Sequence, residues 1–163
     1  MFIAYTGAQG TGKSTSVFKL AFEQKKLYTA KRVKVIMEIA SESPLPINMK
    51  CTKESQLWIF SKQISTDIEA IAKYDIVISD RTCVDSIGYT MLAGFKNTAN
   101  GMIELARDHI KIYDKIIFKT IENNPYHFSD GIRDDNIKFR NDAQKYILEA
   151  YEILGIKDKL IME

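Results

Sequence analysis

The sequence predicts an α/β fold in which helices cover both faces of a parallel sheet. Short apolar runs alternate along the chain with longer amphipathic segments, the pattern of strands and crossover helices in such a fold. The run Ile76-Val77-Ile78 is apolar at consecutive positions, as expected of a strand buried on both faces. A glycine-rich loop also joins the first apolar run to the first helical segment. Parallel sheets bind ligands beyond the carboxyl ends of their strands, so this loop is expected at the ligand site.

Five apolar segments are expected to form the strands of this sheet. They are short, and most are rich in β-branched or aromatic residues. Loops that contain proline, glycine or polar residues separate them from the helical segments. The predicted strands are residues 2–6, 33–39, 75–79, 115–120 and 159–162.

Five further segments carry apolar residues at helical spacing and are expected to form the helices. The predicted helices are residues 12–26, 53–73, 84–93, 101–113 and 136–154. The longest is amphipathic, with an apolar stripe of Leu57, Phe60, Ile64, Ile68 and Ile71. The last is expected to end at Gly155, because glycine is common just beyond helix ends.

Length and composition predict one domain, residues 1–163, of ordinary soluble character. Hydrophobic residues make up 45% and charged residues 27% of the chain, and the net charge is only +2. That charge creates no strong field for nucleic acid or a membrane surface. Cys51 and Cys83 form neither a metal pattern nor a disulfide framework, which favours reduced thiols and a cytoplasmic location. No signal peptide is expected, because the first strand begins at residue 2.

The segment Gly7-Ala8-Gln9-Gly10-Thr11-Gly12-Lys13-Ser14 fits the Walker A pattern GxxxxGK[ST]. Glycines allow the backbone to approach a phosphate closely, and the following helix presents its positive end. Lys13 is expected to reach the β- and γ-phosphate oxygens of ATP, and Ser14 to ligate Mg²⁺. A glycine-rich turn without nucleotide is the alternative. The residues expected to bind ATP are Gly7, Gln9, Gly10, Thr11, Gly12, Lys13, Ser14, Thr15 and, much later in the chain, Arg140.

Asp80 and Arg81 follow the third predicted strand. A carboxylate at this position is typical of a Walker B site, so Asp80 is expected to help hold Mg²⁺. Asp80 could instead position or deprotonate an acceptor, or cap the next helix. Arg81 could bind an anion through its forked guanidinium, or form an ion pair with Asp80 or Asp85.

Three more charged residues are candidates for the ligand site beyond the carboxyl ends of the strands. Glu38 ends the second predicted strand and could take a proton from an acceptor hydroxyl, bind a ribose, or simply face solvent. Arg133 and Arg140 lie in or beside an irregular polar segment, about residues 121–140, which is predicted to be a lid. These arginines could neutralise a transferring phosphate, or pair with neighbouring aspartates at the surface.

Four other side chains are expected to pack in the interior. His109 lies on the apolar face of a predicted helix, and the single tryptophan, Trp58, lies in the longest helix. Packing is also the first interpretation of Tyr89 and Phe95, although both could flank an acceptor base.

Together these residues resemble the P-loop kinases of nucleosides and nucleotides. The Asp80-Arg81 pair is similar to that of thymidylate kinases and to the Glu-Arg-Ser of deoxynucleoside kinases. The Glu38-x-Ala40 segment and the Asp-Gly-x-Arg segment ending at Arg133 resemble the small AAA-type ATP-binding domain that includes ribosylnicotinamide kinase. The resemblance implies a three-layer P-loop NTPase fold with sheet order 2-3-1-4-5. It also implies transfer of the ATP γ-phosphoryl group to a small acceptor, with Mg²⁺.

The resemblance also implies a role for each matching residue. Lys13 would bind phosphate, Ser14 would bind Mg²⁺, and Glu38 or Asp80 would contact the acceptor or act as the base. Arg81 would bind an acceptor phosphate, and Arg133 would stabilise charge in the transition state. Two departures are that Ile39-Ala40 follows Glu38 where proline is usual, and that Thr82 follows Arg81.

The expected partner is a small nucleoside-like or nucleotide-like acceptor, and a homodimer is compatible with the sequence. The alternatives are a partner-regulated ATPase or nucleotide switch, and a polynucleotide 5′-kinase. A polynucleotide kinase needs a basic channel for the strand, whereas Lys50, Lys53 and Lys62 are scattered.

Overall fold

The computed structural model of the protein describes residues 1–123 and 136–163. The strands are β1 (Phe2–Thr6), β2 (Val33–Ile36), β3 (Ile76–Asp80), β4 (Lys115–Phe118) and β5 (Ile161–Met162). The main helices are α1 (Lys13–Leu27), α2 (Lys53–Lys73), α3 (Cys83–Leu92), α4 (Lys96–His109) and α5 (Ile137–Ile153). The strands form one parallel sheet in the order β2-β3-β1-β4-β5, which confirms the predicted fold class and order.

The central strand β1 brings the ends of its neighbours to one place. It pairs with β3 on one side, where Tyr5 lies opposite Asp80. It pairs with β4 on the other side, where Thr6 lies opposite Phe118. The loop that follows β1 therefore emerges directly beside Asp80, at the carboxyl edge of the sheet.

Two apolar cores lie on opposite faces of this sheet, because side chains alternate along a strand. Phe2 and Ala4 of β1 belong to the larger core, which also takes side chains from α2, α3, α4 and α5. Ile3 and Tyr5 belong to the smaller core, which Val17 of α1 completes. The sheet is thus covered by helices on both faces, as predicted.

The second strand ends earlier than the sequence predicts. β2 stops at Ile36, and residues Ile39–Glu42 form a short 3₁₀ helix. The carbonyl of Glu38 accepts hydrogen bonds from the amide and the hydroxyl of Ser41, at 3.2 and 2.7 Å. The backbone therefore turns away from the sheet near Glu38, and Glu38 lies just beyond the strand rather than at its end.

The fourth helix is also displaced from its predicted range. α4 begins at Lys96 rather than at residue 101, and Ile110–Ile112 form a separate 3₁₀ turn after it. Gly94 has φ 79° and ends the preceding helix, so the chain can start a new helix at once.

The apolar stripe of α2 is only partly buried. Leu57, Ile68 and Ile71 are 44%, 52% and 43% exposed, whereas Gln63 and Asp67 are buried. Polar side chains can be buried when they have hydrogen-bond partners, and both of these have partners on other elements. The helix is therefore rotated from the orientation that its apolar residues alone predict. Within the described residues, no helix combines the length and the hydropathy needed to cross a bilayer.

Candidate functional site

The loop between β1 and α1 has the geometry of an anion site. Gly7 has φ 125°, and a Cβ atom there would lie 2.5 Å from the carbonyl oxygen of Lys119. Gly12 has φ 75° and precedes the first turn of α1. These conformations favour glycine and expose the amides at the helix N-terminus. A cavity lies here and is lined by Gly10, Thr11, Gly12, Lys13, Ser14 and Thr15.

Lys13 is buried at the base of this loop. Its Nζ donates a hydrogen bond to the carbonyl of Ala8 at 2.5 Å and lies 3.4 Å from Oγ1 of Thr11. Burial, and then the nearby charge of Arg81, lower the pKa of Lys13 to about 7. A bound anion would favour the charged form of the ammonium group and raise this pKa again.

Ser14 and Asp80 meet across the end of the sheet. The Ser14 hydroxyl donates to Oδ2 of Asp80 at 2.5 Å. Oδ1 of Asp80 is buried and has no hydrogen-bond partner among the described residues. An unsatisfied buried carboxylate oxygen beside a hydroxyl suits a hard cation such as Mg²⁺, which takes oxygen ligands and keeps several waters. No cluster of three or more His, Cys, Asp or Glu suited to a metal occurs in residues 1–123 and 136–163.

Arg81 is held at both its backbone and its side chain. Its φ of 91° is in the left-handed region, which costs a non-glycine residue about 1–3 kcal/mol. Its amide donates to the carbonyl of Tyr5 at 2.8 Å. Its Nε donates to Oε1 of Glu38 at 2.6 Å, and its Nη1 donates to Gly7 O at 3.0 Å and to Asp85 Oδ1 at 3.1 Å. The ion pair with Asp85, one of the two sequence alternatives, is therefore present.

Asp85 joins the N-terminus of α3 to the Walker A segment, residues 7–14, which is the phosphate loop of this protein. It forms a capping box with Thr82, whose amide donates to Oδ2 at 2.9 Å. Its carboxylate also accepts from the hydroxyl of Thr6 at 2.8 Å and from the amide of Gly7 at 3.3 Å. We did not predict this role from the sequence. The spacing Thr82-x-x-Asp85 was the available signal, because it is typical of a helix start.

A second cavity lies beside the phosphate loop. The charged side chains that line it are Glu38, Arg81 and Asp85. Its uncharged lining consists of Gln9, Ala40, Ser41, Ile47, Asn48, Gln56, Ile59, Ser86 and Tyr89. Gln56 and Ser86 carry no sequence signal that would have identified them.

Gln9 connects the phosphate loop to this second cavity. Its Oε1 accepts a hydrogen bond from the hydroxyl of Tyr89 at 2.8 Å. Its Nε2 is buried and has no hydrogen-bond partner within the described part of the chain. The ring of Tyr89 lies 5.5 Å from the Arg81 guanidinium carbon, in cation–π geometry. Tyr89 therefore forms part of the cavity wall. That it flanks an acceptor base stays a prediction.

The structure describes one of the two candidate lid arginines, Arg140. Arg140 is buried, and its guanidinium donates to the carbonyls of Gln9 at 2.9 Å and Gly10 at 3.1 Å. Arg140 thus contacts the backbone of the phosphate loop from α5. Arg133 lies outside the described residues.

Comparisons with known proteins identify a family and a fold. The sequence profile of a family described as "AAA domain" matches residues 2–161. A comparison with curated proteins finds no match. Deoxyadenosine kinase from M. mycoides, solved with dCMP and dCDP, has a TM-score of 0.66 at 15% identity, covering 100% of this chain and 90% of that one.

Two other solved structures have the same fold. Thymidylate kinase from Ehrlichia chaffeensis has a TM-score of 0.65 at 16% identity, covering 100% of this chain and 91% of that one. The NadR protein in complex with NR has a TM-score of 0.70 at 18% identity, covering 99% of this chain and 45% of that one. At these identities the likeness establishes the fold.

Proposed function

The chain belongs to the AAA domain family, and we propose that it transfers the γ-phosphoryl group of ATP to a hydroxyl group of a small, nucleoside-like acceptor. One observation carries this proposal. The Glu38–Arg81 ion pair lines a cavity of its own beside the phosphate loop, and Arg81 also binds the Gly7 carbonyl at the start of that loop. The lining of one cavity includes Gln9 and the lining of the other begins at Gly10, so the two cavities suit a donor and an acceptor held close together.

The donor side would bind ATP at the phosphate loop. Lys13 would contact the β- and γ-phosphates, and the amides of the loop would contact the other oxygens. Ser14 and Asp80 would hold Mg²⁺, which supplies neutralisation of the phosphate charge. Arg140 would support the loop by holding the carbonyls of Gln9 and Gly10.

The charge of the acceptor side favours a hydroxyl over a phosphate. Its described lining carries two carboxylates, Glu38 and Asp85, and one cation, Arg81. Both carboxylates already bind the Arg81 guanidinium. An acceptor phosphate would bring further negative charge to a site whose described cation is already neutralised, and like charges repel. A neutral or cationic alcohol avoids this cost.

Glu38 would then act on the acceptor hydroxyl. Its carboxylate can accept the hydroxyl proton as a general base, while Arg81 fixes the orientation of the carboxylate. The unpartnered amide nitrogen of Gln9 would donate to an acceptor oxygen. The apolar residues Ile47 and Ile59, together with the ring of Tyr89, suit the flat face of a base.

Several expectations remain proposals. Arg133 would neutralise charge on the transferring phosphoryl group, from a lid of about residues 121–140. A homodimer and a cytoplasmic location also stay predictions. The named activities of the similar structures, which include kinases of a deoxynucleoside and of a nucleotide, support a nucleoside or nucleotide class of acceptor.

The deciding experiment measures ADP release from ATP and Mg²⁺ with a panel of acceptors. The panel contains nucleosides, ribosylnicotinamide, nucleoside monophosphates and a 5′-hydroxyl oligonucleotide. We expect turnover with at least one nucleoside-type alcohol, none with the monophosphates, and none in the Lys13→Ala variant. Turnover only with monophosphates would contradict the hydroxyl assignment.

The same panel separates the alternative functions. ADP release that no acceptor stimulates would indicate an ATPase or a switch. Turnover only with the oligonucleotide would indicate a polynucleotide 5′-kinase. Either result would refute a small-molecule kinase.

A further inference from the structure

A chain of buried hydrogen bonds runs from α2 to the backbone of Arg81 without lining either cavity. Oδ1 of Asp67 accepts from Nε2 of Gln63 at 2.9 Å, and the same Nε2 donates to Oγ of Ser79 at 3.2 Å. Ser79 Oγ donates to the carbonyl of Arg81 at 2.7 Å. Asp67 and Ser79 are 0% exposed, and Gln63 is 2% exposed. We call these three residues the Asp67–Gln63–Ser79 relay.

Each hydrogen bond of the relay has only one workable direction. The amide nitrogen of Gln63 can only donate, so Asp67 and Ser79 both accept from it. A flipped amide would place the Gln63 oxygen against the Asp67 carboxylate. Because Ser79 accepts from Gln63, its single hydroxyl hydrogen is left for the Arg81 carbonyl. Asp67 therefore keeps the Gln63 amide nitrogen toward Ser79, which leaves the Ser79 hydroxyl free to donate to the Arg81 carbonyl.

The other end of the relay is also anchored. Oδ2 of Asp67 accepts from Nε2 of His109 at 3.0 Å and from the hydroxyl of Tyr113. The rings of His109 and Tyr113 lie edge to face, 6.0 Å apart. A buried carboxylate is seldom the most stabilising choice for a core position, since apolar residues of similar volume are often as good or better. Its presence in α2 therefore calls for a role that an apolar residue could not fill.

That role is suggested by the backbone of Arg81. Its left-handed φ persists only if its surroundings hold it. Its amide is bound to Tyr5, and its carbonyl is bound by Ser79. The guanidinium reaches Glu38 and Asp85 from this fixed backbone.

We propose that Gln63 and Ser79 are positioning residues, which hold the Arg81 backbone so that its guanidinium stays on Glu38 in the acceptor cavity. The inference rests on the proposed function in assigning Glu38 to the acceptor. The relay residues line neither the phosphate-loop cavity nor the cavity that contains Glu38.

The test compares Gln63→Met and Ser79→Ala with the control Ala70→Gly. Ala70 is buried on the same helix and has no polar side-chain atom, so the control lowers stability without touching the relay. In both relay variants we expect kcat/KM for the acceptor to fall at least about tenfold, with KM for ATP within about twofold of wild type. We expect kcat/KM of the double variant to be no lower than that of the more impaired single variant, because both residues act through one contact. In Ala70→Gly, kcat/KM for the acceptor and KM for ATP should stay at their wild-type values.

A second measurement does not depend on turnover. The Nε–H of Arg81 is bonded to Glu38, so its exchange with solvent, followed by NMR, reports whether that bond is held. We expect exchange at least about tenfold faster in the relay variants and unchanged in Ala70→Gly. Wild-type exchange and kinetics in both relay variants, despite lowered melting temperatures, would overturn the proposal.

These measurements distinguish a failure of the proposed function from a failure of the positioning role. If no acceptor supports turnover in the wild type, the proposed function fails, and the exchange rate alone decides the role of the relay. If Gln63→Met does not fold, Ser79→Ala decides, because it removes a single oxygen atom.

Discussion

Lys13 should couple nucleotide binding to pH. Its pKa in the ligand-free protein is about 7, below its ordinary value of 10.5, mainly because the side chain is buried. ATP phosphates would stabilise the charged ammonium. We therefore expect Mg²⁺–ATP binding to take up nearly one proton at about pH 8.5 and much less at about pH 6, with affinity falling as the pH rises above 7. Calorimetry in buffers of different ionisation enthalpy measures this uptake.

The lowered pKa of Lys13 also makes the stability of the ligand-free protein depend on pH. Between pH 7 and 10.5 the unfolded chain binds more protons at Lys13 than the folded chain does. The contribution of Lys13 to the free energy of unfolding therefore rises with pH across this window. In Lys13→Met both the rise and the proton uptake should disappear. Unchanged proton uptake in that variant would assign the effect to another group.

Gly7 should be intolerant of any side chain. In Gly7→Ala the new methyl group would lie 2.5 Å from the Lys119 carbonyl oxygen, at a φ of 125°. Neither the backbone oxygen nor the strand behind it can move easily. We expect a loss of about 2–4 kcal/mol in the free energy of unfolding, measured by urea denaturation.

Gly101→Ala is the matched control. Gly101 lies in α4, and a Cβ atom there would have no neighbour within 4 Å. Replacing an exposed helical glycine by alanine should raise stability by about 0.5–1 kcal/mol. Equal losses in both variants would show that the close approach at Gly7 has no special cost.

The close packing of helix α3 against helix α5 requires that Gly88 has no side chain. A Cβ atom there would lie 2.6 Å from Cγ1 and 2.7 Å from Cα of Ile147. Gly88→Ala would push α5 away, and α5 also carries Arg140, which binds the phosphate loop. We expect a loss of about 1–3 kcal/mol in stability together with weaker Mg²⁺–ATP binding. Unfolding at the wild-type urea concentration would refute this tight packing.

Elements defined by local pattern were predictable from the sequence. β1 and β3 are short apolar runs. The Walker A pattern requires glycine at Gly7, where the structure leaves no room for a side chain. The spacing of Thr82 and Asp85 marks the start of α3 in the same local way. Such features depend on neighbours within a few residues, which the sequence displays directly.

Features that depend on distant partners were not predictable. Glu38 and Arg81 are 43 positions apart, and no pattern in either segment specifies their ion pair. Gln63 and Asp67 are buried because Ser79, His109 and Tyr113 supply hydrogen bonds from other elements. The apolar stripe of α2 favoured a different face, since periodicity measures hydrophobicity and not the availability of partners.

At the scale of the whole molecule, one sheet connects both cores. β1 contributes alternate side chains to each core, so neither core can form without the central strand. The chain from Met1 to Glu163 should therefore unfold as one domain. We expect a single calorimetric transition, with equal calorimetric and van't Hoff enthalpies. Two resolved transitions would contradict the single domain.

Mg²⁺–ATP should raise the temperature of that transition as a whole. A ligand at 100 times its Kd stabilises the folded state by about 2.7 kcal/mol. For a chain of this size that corresponds to roughly 5–10 °C, because each kcal/mol shifts the midpoint by about 2–4 °C. The shift should vanish in Lys13→Ala, whose midpoint without nucleotide serves as the control. A shift of equal size in that variant would place the nucleotide outside the phosphate loop.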